Sequence, residues 1–346
     1  MVSARQQPTM MDVAQRAGVS PMTVSRAFKD GTSVSAKTRE KVAAAADELG
    51  YVFDSTASNL RSQKTNFVAV TIPSINNANF AQTVRGLSDV LRPRGLQILL
   101  GYTDYDMAQE ERLIEQLLTR RPEAIVVTGG KHTPRARRLL ENAGIPVVET
   151  WDLPEHPIQN VVGFSNAAAV ERLVDHLVEQ GKTRIAFIGG DTTLDTRGAD
   201  RRLGFLRAVE RHGLATDRLI AVGIPPISMR EGAAAMGHLL DTMPDTEAVI
   251  CVSDLSAFGA LTECQRRGIA VPGSISIAGF GDYDIGQISV PPLTTLNPFP
   301  TEIGQQAARL ILDLMDGQSP EPIQSIVPEL LVRESTQGQP VPNPGR

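Results

Sequence analysis

TMMDVAQRAGVSPMTVSRAFKDGTSVSAKTREKVAAAADELGY, residues 9–51, reads as three short helices separated by tight turns, with no strand-like stretch. Thr9 with Asp12 three positions on sets a capping box, because hydroxyl and carboxylate satisfy free amides where a first helix begins. Gly18 stops that helix. Ser20 caps a second helix with Pro21 at its first position, where a missing N–H costs nothing, and Ser35 caps a third. Val13, Ala14, Ala17, Val19, Val24 and Ala27 fall where crossed helices bury them against each other. Pro21, Met22, Ser25, Arg26 and Lys29 are left on the outer face of the second helix.

Downstream the pattern changes. Residues 50–64, GYVFDSTASNLRSQK, read as a polar linker with one apolar anchor. Then follow continuous apolar runs: FVAVTI (67–72), LQILLGY (96–102), EAIVVTG (123–129), IPVVET (145–150), RIAFIGG (184–190), EAVICVS (247–253) and ISIAGFG (275–281). Such runs fit strands covered on both faces of a parallel sheet. Amphipathic helical stretches lie between them, so the βαβα alternation predicts doubly wound sheets in two similar halves with a cleft between. The last residues, 336–346, are rich in Pro, Gly and Gln and are expected to be a disordered tail.

Length and composition fit this division. A chain of 346 residues, 41% hydrophobic and 21% charged, has room for a small module and one large α/β body. Residues 1–64 carry a net charge of +3 and the remainder −8, so a basic module sits on an acidic body. Cys251 and Cys264 make no CxxC pair, and the histidines at 132, 156, 176, 212 and 238 are scattered, so neither a disulfide framework, a metal cluster nor another cofactor is expected. No apolar run reaches the roughly 18 residues that span a bilayer, and the N-terminus lacks a signal-peptide core, which predicts a cytoplasmic protein without membrane partners. Phosphate-loop, nucleophile-elbow and HExxH motifs are absent, and GFGDYD holds a lone GxG after a late strand, so an enzyme is not expected. The missing signal peptide also argues against a sugar-transport component.

A capped helix pair with an outward arginine is ordinary taken alone. Together, AxxAGVSxxTVSRxF and VSxKTRExVxxAxxELGY followed by the linker resemble the DNA-binding domain of the LacI family. A helix-turn-helix sets its second helix in the major groove, where Arg26 would pair with guanine and apolar tips would touch thymine methyls. Ser20, Pro21, Met22, Thr23, Ser25, Arg26, Lys29, Ser35, Lys37 and Thr38 are therefore the candidate DNA contacts, with Thr23, Ser25, Ser35, Lys37 and Thr38 suited to phosphates. The resemblance further implies that the linker forms a hinge helix on the operator. There Leu60 would wedge between base steps, beside Ala57 and Ser58.

The likeness extends to about residue 335 through GDTTLDTRGADRRLGFLRAV, AVICVSDLSAFGAL and ISIAGFGDYDIGQISVPPLTTL. It implies an N-terminal all-α helix-turn-helix domain (9–49), a hinge and linker (50–64), and an α/β periplasmic-binding-protein-like (type I) domain over 65–335. That domain would comprise two doubly wound parallel-sheet subdomains, with chain crossings near 160–164, 287–296 and 318–327. Carried over from the family, the effector-binding candidates are Phe80, Thr128, Asp152, Arg201 of RxxGF, Ser253, Asp254, Gly281 and Asp282. Ser253-Asp254 stands where many sugar-sensing members have Asn-Asp, and Gly281 where they have Asp. A pocket that keeps Arg201 and loses a carboxylate favours an anion. ECQRRGIAVPGSISIAGFGDYDIGQ and VVETWDL followed by VGFSN look like the gluconate-repressor branch. The expected whole is a homodimeric repressor on a palindromic double-stranded operator, controlled by a sugar acid; other sugars, sugar phosphates and purines stay open as effectors, activation stays open in place of repression, and a sugar-acid enzyme is the remoter alternative.

Overall fold

The computed structural model describes residues 7–28, 34–53, 65–190 and 193–337. The chain divides into two compact units, residues 1–64 and 65–346.

In the first unit α1 (Met10–Ala17), α2 (Pro21–Ala27) and α3 (Ala36–Leu49) each begin at a hydroxyl. The Thr9 amide donates to the Asp12 carboxylate at 2.8 Å, completing the capping box. Ser20 Oγ accepts from the Thr23 amide at 3.1 Å, and Ser35 Oγ from the Thr38 amide at 3.2 Å. Gly18 ends α1 at φ 64°, a left-handed conformation that a Cβ would strain. The core is only valine and alanine: Val13, Ala14, Ala17, Val24, Ala27, Val42, Ala45 and Ala46. Small side chains let the helices approach closely, and Arg16 Nε donates to Glu48 at 2.8 Å to tie α1 to α3. Phe28 stacks on Phe53 at 5.1 Å between centroids and meets Tyr51 at 6.3 Å. Tyr51 and Phe53, expected as linker, are thus packed onto the helical unit through Phe28, while Val52 between them is exposed.

The second unit opens with β1 (Phe67–Ile72), α4 (Ala78–Leu91), β2 (Gln97–Tyr102), α5 (Met107–Thr119), β3 (Ala124–Thr128), α6 (Pro134–Glu141), β4 (Val147–Thr150) and β5 (Asn160–Gly163). Next come α7 (Asn166–Glu179), β6 (Ile185–Gly189), α8 (Thr196–Arg211), β7 (Leu219–Ala221), α9 (Met229–Thr242), β8 (Ala248–Cys251), α10 (Asp254–Arg266), β9 (Ser276–Ala278) and α11 (Asp284–Ile288). The chain closes with β10 (Thr295–Asn297), α12 (Pro300–Met315), β11 (Ile323–Ser325) and β12 (Glu329–Leu331). One sheet runs β11-β5-β4-β3-β1-β2 and the other β7-β6-β8-β9, both parallel throughout, while β10 and β12 form an antiparallel pair. Two α/β halves result, with buried Leu87, Phe164, Phe187 and Phe205 among the largest core side chains.

The chain passes between the halves after β5, again between β10 and α12, and once more between β11 and β12. The second passage lies beyond the expected 287–296. Residues 294 and 296 still belong to the second half, since their carbonyls accept from the Gly279 and Gly281 amides. Only at Pro300, whose carbonyl accepts from Thr83 Oγ1 at 2.9 Å, does the chain join the first half. The tail also starts later than expected. Thr336 is buried, with its hydroxyl 2.7 Å from that of Thr294 and 2.9 Å from His176 Nε2. Residues 338–346 lie outside the described ones.

Candidate functional site

On α2, Val24 and Ala27 turn inward, which leaves Pro21, Met22 and Arg26 exposed and Ser25 half-exposed. Met22 is 64% exposed, so its thioether is available for an apolar contact. At the α2 and α3 starts the hydroxyls pair: Ser20 with Thr23 at 2.9 Å and Ser35 with Thr38 at 2.8 Å. Lys37 is exposed beside the second pair. Two helix N-termini therefore present amides and hydroxyls, the groups that receive phosphate. Lys29, Ala57 and Leu60 lie outside the described residues.

In the second unit a cleft lies between the halves, beyond the carboxyl ends of the strands, where open α/β sheets bind ligands. The first half contributes Asn77, Asn79, Phe80, Tyr105 and Trp151; the second contributes Asp195, Arg197, Arg201, Pro226, Ile227, Val252, Ser253, Leu255, Phe280 and Tyr283. Phe80 meets Trp151 edge-on at 5.2 Å, Trp151 meets Phe164 at 6.0 Å, and Phe164 meets Phe280 at 5.9 Å, an aromatic layer that shields the cavity's inner side.

Arg201 is held in place by this layer. Its guanidinium carbon lies 3.6 Å from the Phe280 ring centroid, Nε donates to Asn166 Oδ1 at 3.0 Å, and Nη1 donates to the Val252 carbonyl at 2.8 Å. Asn166 is set in turn by donating to the Trp151 carbonyl at 3.0 Å. Burial pulls the Arg201 pKa below the ordinary arginine value, against the pull of Asp195. Arg197, one helical turn earlier on α8, lies against the opposite half, with its guanidinium 5.6 Å from the Phe80 ring and 5.9 Å from that of Tyr105. Burial raises the Tyr105 and Tyr283 pKa values, so both phenols are neutral hydrogen-bonding groups.

Three expected effector residues, Phe80, Arg201 and Ser253, line this cavity. Five do not, and each has another task. Asp254 is fully buried and accepts from Thr295 Oγ1 at 2.6 Å and the Tyr283 amide at 2.8 Å, while burial pushes its pKa up to about 6. Gly281, at φ 128°, offers its carbonyl to Asn79 Nδ2 at 3.1 Å, and a Cβ there would come within 2.9 Å of that nitrogen. Asp282 pairs with Arg333 at 2.6 Å. Asp152 accepts from the Gly130 and Leu153 amides, and Thr128 donates to the Thr71 carbonyl at 2.8 Å beside a neighbouring recess.

Arg197, Asn77, Asn79, Tyr105, Trp151, Asp195 and Tyr283 were not expected there. Arg197 alone had a local signal, its i, i+4 spacing from Arg201. Several side chains join the two halves. Tyr283 donates to Asn77 Oδ1 at 2.7 Å, and Lys131 pairs with Asp200 at 2.8 Å. Away from the cavity, buried His132 lies 3.0 Å from Glu110 and 3.5 Å from Glu149. Burial opposes its charge, yet the two carboxylates outweigh burial and raise its pKa to about 9. Among the described residues no helix is long and apolar enough to cross a membrane.

Comparison with known proteins agrees with both units. Residues 9–54 match bacterial regulatory proteins of the lacI family, and residues 174–336 match the periplasmic binding protein-like domain. The HTH-type transcriptional regulator GntR of Pseudomonas aeruginosa is 38% identical over 330 residues, covering 95% of this chain and 96% of its own. A solved Lacl family transcriptional regulator from Silicibacter pomeroyi is 33% identical, with a TM-score of 0.90 over 95% of this chain and 99% of its own. The lac repressor dimer, solved bound to operator and the anti-inducer ONPF, is 25% identical, with a TM-score of 0.82 over 96% of this chain and 99% of its own. Helix-turn-helix, cleft and near-full-length similarity converge: the chain belongs to the LacI family of transcriptional regulators.

Proposed function

We propose that this regulator represses transcription in the cytoplasm as a homodimer on a palindromic operator, and that a sugar acid in the cavity sets its operator affinity. The observation that carries the reading is the pairing of an exposed Met22–Arg26 helix face with a cavity that holds Arg201 against an aromatic layer. Arg26 reads guanine, Pro21 and Met22 meet base methyls, and Ser20, Thr23, Ser25, Ser35 and Thr38 take phosphates, with Lys29 alongside. Leu60 and Ala57 form the hinge contact at the operator centre, as the family resemblance implies. The body is a sensor and performs no chemistry, in keeping with relatives that are regulators.

The anion preference drawn from Gly281 needs a different basis, because Gly281 is not among the residues that line the cleft and its carbonyl is taken by Asn79. Arg201 in an aromatic enclosure supplies it, together with the similarity to the regulator named GntR. Fluorescence anisotropy on DNA from the protein's own promoter region tests the whole. Wild type binds a palindrome there, gluconate changes that affinity, and Arg26→Ala weakens binding by about 10-fold or more. Full affinity and selectivity in a folded Arg26→Ala protein would overturn the reading.

A further inference from the structure

We propose that Arg197, not the motif arginine Arg201, makes the paired contact with the effector's carboxylate, and that the cavity suits a singly charged polyhydroxy acid. This rests on the sugar-acid reading above and specifies it. A carboxylate is gripped best by two parallel N–H groups of one guanidinium. Arg201 has little left to offer: Asn166 and the Val252 carbonyl engage Nε and Nη1, Phe280 covers one face, and Nη2 is its one nitrogen without a partner among the described residues. Arg197 is the reverse case. Its side chain is buried, only 6% exposed, yet its one hydrogen bond among the described residues is a long contact of 3.4 Å from Nη1 to the Thr128 carbonyl. Among the described residues no carboxylate lies within ion-pair distance of either guanidinium; neighbouring Lys131 takes Asp200, and Arg333 takes Asp282.

A buried cation with no carboxylate in ion-pair reach is costly, and an anion entering the cleft offsets that cost. The charges lining the cavity are Arg197, Arg201 and Asp195, one positive charge in excess. A further carboxylate in the field of Arg197, that of Asp152, is taken by the Gly130 and Leu153 amides. One carboxylate therefore balances the site, whereas an added phosphate overfills it with negative charge. Because Arg197 leaves the second half to lie on Phe80 and Tyr105 of the first, the same carboxylate touches a residue that spans both halves. Arg201, through Nη2, is left to orient a hydroxyl.

Calorimetric titration of the full chain tests this with potassium gluconate, its neutral counterpart sorbitol, and 6-phosphogluconate. Wild type is expected to prefer gluconate over sorbitol by about 100-fold and over 6-phosphogluconate by about 10-fold. Arg197→Gln should lower gluconate affinity about 30-fold and collapse the preference over sorbitol, with Arg197→Lys in between because it keeps the charge without the fork. Arg201→Gln should weaken gluconate and sorbitol alike and so keep the preference. Thermal melting of each ligand-free variant verifies folding, and Arg197→Lys supplies the comparison if Arg197→Gln fails to fold. If Arg201→Gln erases the preference while the Arg197 variants keep it, the assignment is overturned. Tighter binding of 6-phosphogluconate than of gluconate overturns the single-charge claim. Wild type that prefers sorbitol, or binds no acid, overturns the sugar-acid reading itself, an outcome seen before any variant is made.

Discussion

The helical unit and the effector body solve the same problem at different ranges. The first packs eight valine and alanine side chains and fixes its helix starts with Thr9, Ser20 and Ser35, each bonded to a residue three positions away. The body buries large aromatics, two guanidiniums and the carboxylate of Asp254, and it secures them with partners as distant as Asn77 from Tyr283 or Asp254 from Thr295. Short-range design leaves a unit with little core to spare and one exposed face for DNA. Long-range design lets a cavity hold charges that no local motif could position. The two units should therefore fail separately, and lone Trp151, which lies in the body, gives a signal for the body alone.

The largest effect is expected at Gly204. A Cβ there would lie 2.1 Å from the Ala167 carbonyl oxygen, so α8 could no longer sit against α7. Gly204→Ala should cost the body on the order of 3 kcal/mol. Trp151 fluorescence during urea unfolding should shift accordingly, with operator-helix melting left where it was. Unchanged Trp151 unfolding would mean that the two helices separate without loss.

Asp254 offers a pH-dependent comparison of intermediate size. Its folded pKa is raised by burial to about 6 from an ordinary 3.8, so its favourable contribution is complete below the lower value and is lost as pH rises through the upper one. Asp254→Asn removes that titration. Relative to wild type, the variant should gain about 2 kcal/mol between pH 4 and pH 7.5, whatever constant offset the lost acceptor brings. Parallel stability curves for the two proteins over that range would show that the buried carboxylate titrates normally.

The same contrast explains which parts were legible in the sequence. Caps at Thr9, Ser20 and Ser35, the Gly18 stop and seven of the parallel strands follow from neighbours within a few positions, and the structure has them. β5, β7, β10, β11 and β12 stand outside the continuous apolar runs, and the ends of β5, β10 and β11 mark where the chain changes halves. At the cavity, Phe80, Arg201 and Ser253 came through family resemblance, whereas Asp254 and Asp282 were misplaced because a carboxylate at a strand end says nothing about its partner. Arg197 was missed for the converse reason. Its cavity is completed by Tyr105, some ninety positions earlier in the chain.

The smallest expected effect lies in the helical unit, where it is the largest in proportion. Ser20 Oγ accepts from the Thr23 amide and pairs with the Thr23 hydroxyl, so Ser20→Ala leaves the start of α2 without its side-chain acceptor. Loss of such a cap costs about 1 kcal/mol. In the body that amount would be minor; in a unit whose core is eight small side chains it is a sizeable part of the total. Amide exchange at Thr23 and Val24 should accelerate about 5-fold, while Trp151 unfolding stays at its wild-type denaturant concentration. If exchange is unchanged, the helix start is held by Pro21 and the Val24 contacts rather than by the hydroxyl. A shift in Trp151 unfolding would instead show that the two units are coupled, which would break the separation from which the comparison began.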